Sequence, residues 1–176
     1  TVFWKENEAL SAKCKSAGGW DTHGNNFGCL KENLLPEFDR CFSALIEDLE
    51  ERGLLEETLV VAVAEFGRTP KLGQITSSAG AGAEGRDHWP HCYTAFFAGA
   101  GVKSGLVYGA SDNFAAYPKE NPVGPADLMA TIYALLGIDP HQRIYDGLNR
   151  PHPLTIGSPV FDIMARNRWN GVCGPV

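Results

Sequence analysis

The sequence predicts an α/β fold, a mainly parallel sheet flanked by helices, and three observations carry that expectation. Leu30, Leu34, Phe38, Phe42, Leu45, Ile46 and Leu49 recur at helical spacing. The run "TLVVAVAEFG", residues 58–67, follows closely. It is short, apolar, β-branched and closed by glycine, the pattern of a strand buried on both faces. A second apolar run over residues 93–98 and a second amphipathic helix over residues 125–136 repeat the alternation.

Taken in order, residues 1–17 show no clear pattern, and "SAKCKSAGG" does not read as a strand. The first helix has Asn25 or Asn26 to cap it and Gly53 to end it. Pro36 removes one internal hydrogen bond, so a kink or a late start is expected there. Glu47, Asp48, Glu50, Glu51 and Arg52 form its solvated face. The following strand should end at Glu65, and open α/β sheets keep their ligand crevice at the carboxyl ends of strands. Residues 69–84 are small and polar, a mobile surface loop. Residues 106–108 read as a short strand. Pro125 suits the first turn of the second helix and Gly137 its end. Beyond Pro140 the chain is rich in Pro, Gly and Asn, and "SPVFDIMAR" reads as a last helical turn. No repeat or linker divides the chain. The expected organisation is a poorly defined segment 1–17, one α/β domain over 18–165, and a tail 166–176.

Composition narrows the function. A net charge of -6 with no basic block leaves no footprint for nucleic acid. No run approaches the ~18 apolar residues of a membrane span. Residues 1–10 are charged and lack the apolar core of a signal peptide. The five cysteines, Cys14, Cys29, Cys41, Cys92 and Cys173, are odd in number and show no CxxC spacing, so they read as buried or free thiols.

Metal-ligating residue types gather in two loops. "GGWDTHGNN" puts Asp21 and His23 two residues apart, and "GRDHWPH" holds Asp87, His88 and His91. With Glu65 at a strand end, these form a candidate site. Mixed nitrogen and oxygen donors suit zinc, manganese or iron better than calcium, and zinc or manganese is expected ahead of calcium or magnesium. Each has a plainer reading: Asp21 as an Asx turn or helix cap, His23 as a satisfied loop histidine, the 87–91 group as a structural cluster around Trp89. Arg68 and Arg86 flank the candidate ligands. Their guanidinium groups match a tetrahedral oxyanion, or pair with Glu65 or Asp87. His141 and His152 read as surface residues.

"GGWDTHGNNF", "LVVAVAEFGRTP", "GRDHWPHCYTAFFAGAGVKSGLVYGASD" and "PVGPADLMATIYALLGIDP" resemble, in this order, the C-terminal part of a family of bacterial proteins of unknown function. That family is grouped with the alkaline phosphatase and sulfatase superfamily. The resemblance runs from about Gly18 to near Phe161. It implies an alkaline phosphatase-like fold, of which this chain would be a truncated C-terminal portion, with one or two metal ions at the carboxyl edge of the sheet. It also implies that Asp21, His23 and either His88 or His91 hold one ion. Phe66 stands where a second ion's histidine would be, which leaves that ion without its usual ligands. The superfamily's nucleophile comes from an N-terminal half, and no residue here is identified as catalytic. The resemblance also implies export, to the periplasm or the outside, although no signal peptide is seen in this sequence.

The expected function is therefore metal-dependent hydrolysis of phosphate or sulfate esters, inactive if this truncated chain lacks its nucleophile. The alternative is a non-catalytic, metal-stabilised binding module. The expected partners are a small anionic ester or a sulfated or phosphorylated polymer, with no nucleic acid and no transmembrane segment. An exposed sheet edge would invite self-association.

Overall fold

The structure, a computed structural model, describes residues 7–14 and 19–165. They fall into two compact units. One gathers the described residues of Thr1–Asp48 with Val63–Ala95 and Ser111–Pro118; the other gathers Leu49–Ala62, Phe96–Ala110 and the described residues of Lys119–Val176.

The first unit opens with helix α1, Glu8–Cys14, inside the segment whose sequence gave no pattern. A short helix α2, Asn26–Cys29, runs into a π-helical stretch, Leu30–Leu34, and then into helix α3, Leu35–Glu51. Pro36 explains this join. It has no N–H for the carbonyl four residues back and its ring crowds that carbonyl, so the chain widens to a π turn just before it. Phe38 and Phe42 stack along α3 with ring centroids 5.0 Å apart, and Trp20 meets Phe38 edge-on at 5.6 Å.

Cys14 and Cys29 are joined by a disulfide that ties α1 to α2, and both are buried. This corrects the reading of the cysteines as thiols. A lone pair 15 residues apart within an odd set carries no spacing signature. Cys41 and Cys92 are free, and Cys173 lies outside the described residues.

The strands are short. Among the described residues they form four two-stranded sheets: β1 (Val60–Ala62) with β4 (Phe96–Ala98), β2 (Gly67–Arg68) with β3 (His88–Trp89), β5 (Ala110–Ser111) with β6 (Pro118–Glu120), and β7 (Arg143–Tyr145) with β8 (Pro151–Pro153). The expected parallel sheet flanked by helices, and with it the alkaline phosphatase-like architecture, is absent from the described residues. The apolar run of residues 58–67 yields only β1, half-buried, which pairs antiparallel to β4 with Val61 opposite Phe97. Parallel pairing needs a crossover, usually a helix, and residues 63–95 contain no helix. A short apolar run reads the same whether it is buried on both faces or on one, so the sequence pattern could not separate the two. Residues 106–108 form no strand.

The second unit has the more conventional core. Helix α4, Pro125–Leu135, buries Ala134 and Leu135 with Met164, and Leu59, Phe97, Val102 and Ile163 pack against them. Its start is held by Asp127, whose carboxylate accepts the Gly124 N–H at 3.0 Å and the Ser158 N–H at 2.9 Å. The tail holds a hairpin that periodicity did not reveal. Between β7 and β8, Asp146 accepts the backbone N–H of Leu148 and Arg150 and the Arg150 guanidinium. "SPVFDIMAR" contributes a single 3₁₀ turn, Phe161–Ile163.

In the first unit the most buried side chains are largely polar: Thr22, Asn26, Thr69 and Asp87 are each 1% exposed or less, beside Leu34. Such groups persist in a core only when hydrogen-bonded, so their partners define the unit.

Candidate metal centre

Two strands set the geometry. β2 and β3 pair antiparallel with Arg68 opposite His88, so those side chains are cross-strand neighbours. Gly67 makes this possible: a Cβ there would run into the Cys92 carbonyl. The loop carrying Asp21 and His23 lies against the same sheet. The Arg86 N–H donates to the His23 carbonyl at 3.0 Å, and Gly85 lets the chains approach, since a Cβ on it would strike that carbonyl.

The result is a cluster of three donors. One ligand atom each from Asp21, His23 and His88 lies within 4.8 Å of the others. Asp21 Oδ1 is 3.0 Å from His23 Nε2 and 3.0 Å from His88 Nε2. For bonds of ~2.1 Å, adjacent ligand atoms in an octahedral shell stand about 3.0 Å apart. The Asp21 side chain is half exposed, His88 less so, and His23 nearly buried.

The orientation of His23 is decided by its other nitrogen. Nδ1 stands 2.7 Å from the Gly80 carbonyl. A carbonyl only accepts, so Nδ1 carries the hydrogen and Nε2 is turned toward Asp21 and His88. A ring N–H held by a backbone carbonyl is the usual support of a metal-ligating histidine. Phe66 packs on His88 with centroids 4.1 Å apart, which fixes the second imidazole.

Asp87 does not join the cluster. It is fully buried behind His23, with Oδ1 3.5 Å from Nδ1. Its carboxylate accepts from the Thr76 and Ser77 N–H groups, the Ser77 hydroxyl and the His88 N–H, at 2.6 to 2.8 Å. Burial pushes its pKa up, but these hydrogen bonds outweigh burial and hold it well below the usual carboxylate range. The loop expected to be mobile is thereby tied down: Asp87 grips Thr76 and Ser77, and Gly80 receives His23. Sequence reading missed Ser77 and Gly80. Gly80 acts through its carbonyl, which no side-chain pattern reports, and Ser77 sits in a run of small residues without spacing to mark it.

The other candidates separate. Glu65 is not at a strand end: β1 stops at Ala62, and Glu65 is exposed in the following loop. His91 is exposed and packs with Trp89 and Tyr117, outside the donor cluster. Arg68 reaches the cluster, with Nη2 donating to Asp21 Oδ1 at 2.7 Å and Nη1 3.4 Å from His23 Nε2. Burial works to raise the Asp21 pKa; the hydrogen bonds from His88 and Arg68 and the charges of His23 and Arg68 outweigh it, and the pKa falls. Arg86 points elsewhere, donating to the carbonyls of Thr69 and Arg68 and lying over the Phe27 ring. Burial, then the charge of Arg68, lowers its pKa. A cavity of about 500 Å³ adjoins the cluster, bordered by Asp21, Arg68 and Glu65 among others. No helix among the described residues is long and apolar enough to cross a membrane.

The family described as "Protein of unknown function (DUF1501)" matches residues 12–164. No curated protein and no solved structure matches the chain. The expected resemblance to a family of unknown function is thus met, while nothing in the match ties it to the alkaline phosphatase and sulfatase superfamily.

Proposed function

Because the chain belongs to the DUF1501 family, whose function is unknown, we propose a role from its own side chains: Asp21, His23 and His88 hold one divalent ion, zinc or manganese, that serves hydrolysis of a small anionic ester. The observation that carries the ion is the His23 ring, whose Nδ1–H is spent on Gly80 while Nε2 faces a carboxylate oxygen and a second imidazole. Two imidazoles and one carboxylate suit a first-row transition ion and leave coordination positions open. When bound, the ion supplies a Lewis acid and a coordinated water whose pKa falls toward 7.

The residues around it supply the rest. Arg68, already against Asp21, offers a fork for a phosphate or sulfate oxygen. In the reaction a water oxygen bonds to phosphorus or sulfur, the ester bond breaks, and the proton lost by water ends on the leaving alcohol.

One observation favours the second reading, a metal-stabilised binding module. Thr22 and Thr69, the hydroxyls nearest the cluster in sequence, are fully buried and engaged, Thr22 by the Asn26 amide and Thr69 by the Asp87 N–H. Neither can act as a nucleophile, so turnover depends on activated water. Calorimetric titration with zinc and manganese, followed by assay on aryl phosphates and aryl sulfates with and without chelator, tests both. Ion binding with chelator-sensitive turnover supports the hydrolase, and ion binding without turnover supports the module. Absence of ion binding defeats both.

A further inference from the structure

We infer that the cavity beside the ion cluster takes a hydroxylated ring, a sugar bearing a sulfate or phosphate ester. The inference rests on the proposed ion site and deepens it by naming the substrate class. The cavity, about 500 Å³, is lined by Trp20, Asn26, Leu30, Glu65, Phe66 and Arg68 together with neighbours already described. Its volume falls within the ~300–1,000 Å³ of small-molecule sites.

The walls sort by chemistry. Trp20, Phe66 and Leu30 present apolar and aromatic surface, which suits the C–H faces of a sugar ring. Glu65 adds an exposed carboxylate that only accepts hydrogen bonds. Asn26 is 1% exposed, and its nitrogen donates to the Thr22 hydroxyl at 2.7 Å and lies 3.4 Å from the Thr22 carbonyl. That carbonyl fixes the amide orientation, because it cannot donate. Asn26 Oδ1 has no hydrogen-bond partner and is closed off from solvent, so it is not a group a ligand in the cavity can reach. Away from Arg68, the exposed Glu65 carboxylate is the acceptor the cavity opens to a ligand, and it asks that ligand for donors. An aryl ester brings none and would strip water from Glu65 without replacing it. Ring hydroxyls supply them. The two charges orient the ligand: Arg68 draws the ester anion to the ion cluster, and Glu65 repels a second anion while accepting from uncharged hydroxyls.

Calorimetry on the 176-residue chain, both zinc-loaded and metal-free, tests this with glucose 6-sulfate, glucose 6-phosphate, phenyl sulfate, phenyl phosphate and adenosine monophosphate. The sugar esters should bind at least about tenfold tighter than the phenyl esters, and the stronger of the two sugar esters identifies the anion. Glu65→Gln and Trp20→Ala should each shrink that preference severalfold while zinc affinity stays within about twofold. Trp20→Phe serves if the alanine variant loses its circular dichroism spectrum. An equal or reversed preference, tighter binding of adenosine monophosphate, or indifference to Glu65→Gln overturns the inference. Failure to bind zinc removes the ion site alone: Arg68, Trp20 and Glu65 remain in the metal-free chain, and its preference between sugar and phenyl esters still decides the cavity.

Discussion

Replacing Asp87 by asparagine should loosen the ion site without touching the ion. Asp87 accepts from the Thr76 N–H, the Ser77 N–H, the Ser77 hydroxyl and the His88 N–H. Asparagine does best with its oxygen on Thr76 and Ser77 N–H and its nitrogen toward the Ser77 hydroxyl, which can accept. The His88 N–H is then orphaned, at roughly 1–3 kcal/mol, and the remaining bonds lose their charge assistance. Together these cost about 3 kcal/mol near neutral pH. The cost should shrink on acidification. The folded carboxyl has a pKa well below its ordinary value of 3.8, so its stabilising effect is fully present above that value and drains away as pH falls below it. Urea melts of both proteins without metal, from pH 7 down to pH 2.5, should therefore show a gap that is steady above about pH 4 and narrows toward pH 2.5. Zinc affinity should fall about 10- to 100-fold, because the loop that presents the Gly80 carbonyl to His23 is released. A stability gap constant across pH would refute the account of Asp87, and undiminished zinc affinity in the asparagine variant would refute the role given to Gly80.

Other variants probe the remaining links. His23→Ala should weaken zinc or manganese binding by more than about 100-fold, and His91→Ala should leave the same titration unchanged. Arg68→Met should tighten ion binding severalfold, since the guanidinium shares Asp21 Oδ1 with any ion, yet weaken sulfate binding to the loaded chain by about tenfold; a loss of both affinities would contradict that competition. Gly85→Ala should cost about 1–3 kcal/mol in thermal or chemical melts, by driving a methyl group into the His23 carbonyl, and should weaken ion binding with it. The Cys14→Ser, Cys29→Ser double variant should lose about 3 kcal/mol in denaturant melts, as expected for a loop of this length, while wild-type protein under reductant behaves the same way.

The two ligand loops were legible because their chemistry is concentrated: a carboxylate and an imidazole two residues apart amid glycine, and a second imidazole beside an arginine loop. Their meeting was not legible from composition, since it depends on the Arg68–His88 cross-strand register and on Gly67 and Gly85 admitting close backbone approach. Asp87 and His88 look equivalent in sequence, yet one backbone step sends Asp87 inward to the Ser77 turn and His88 outward to Asp21. Helices α3 and α4 were read well, because the 3.6-residue stripe of α3 and Pro125 at the start of α4 are local signals, whereas α1 carries no such signal and was missed. The sheet was misread because pairing partner and direction are non-local. Val60–Ala62 carries the same β-branched, apolar signature beside an antiparallel neighbour as it would between two parallel ones. The β7–β8 hairpin escaped notice because its stability comes from one turn aspartate and not from alternation.

The Cys14–Cys29 bond closes a covalent ring around Asp21 and His23. Two of the three donors thus sit within a covalent loop that sulfur chemistry closes. A chain that meets zinc while still reduced offers it two further thiolates, and thiolates hold zinc better than carboxylates do. The ion would then be captured by the wrong atoms and would block the bond that builds the right site. For the ion proposed here, oxidation of Cys14 and Cys29 would have to precede metal loading.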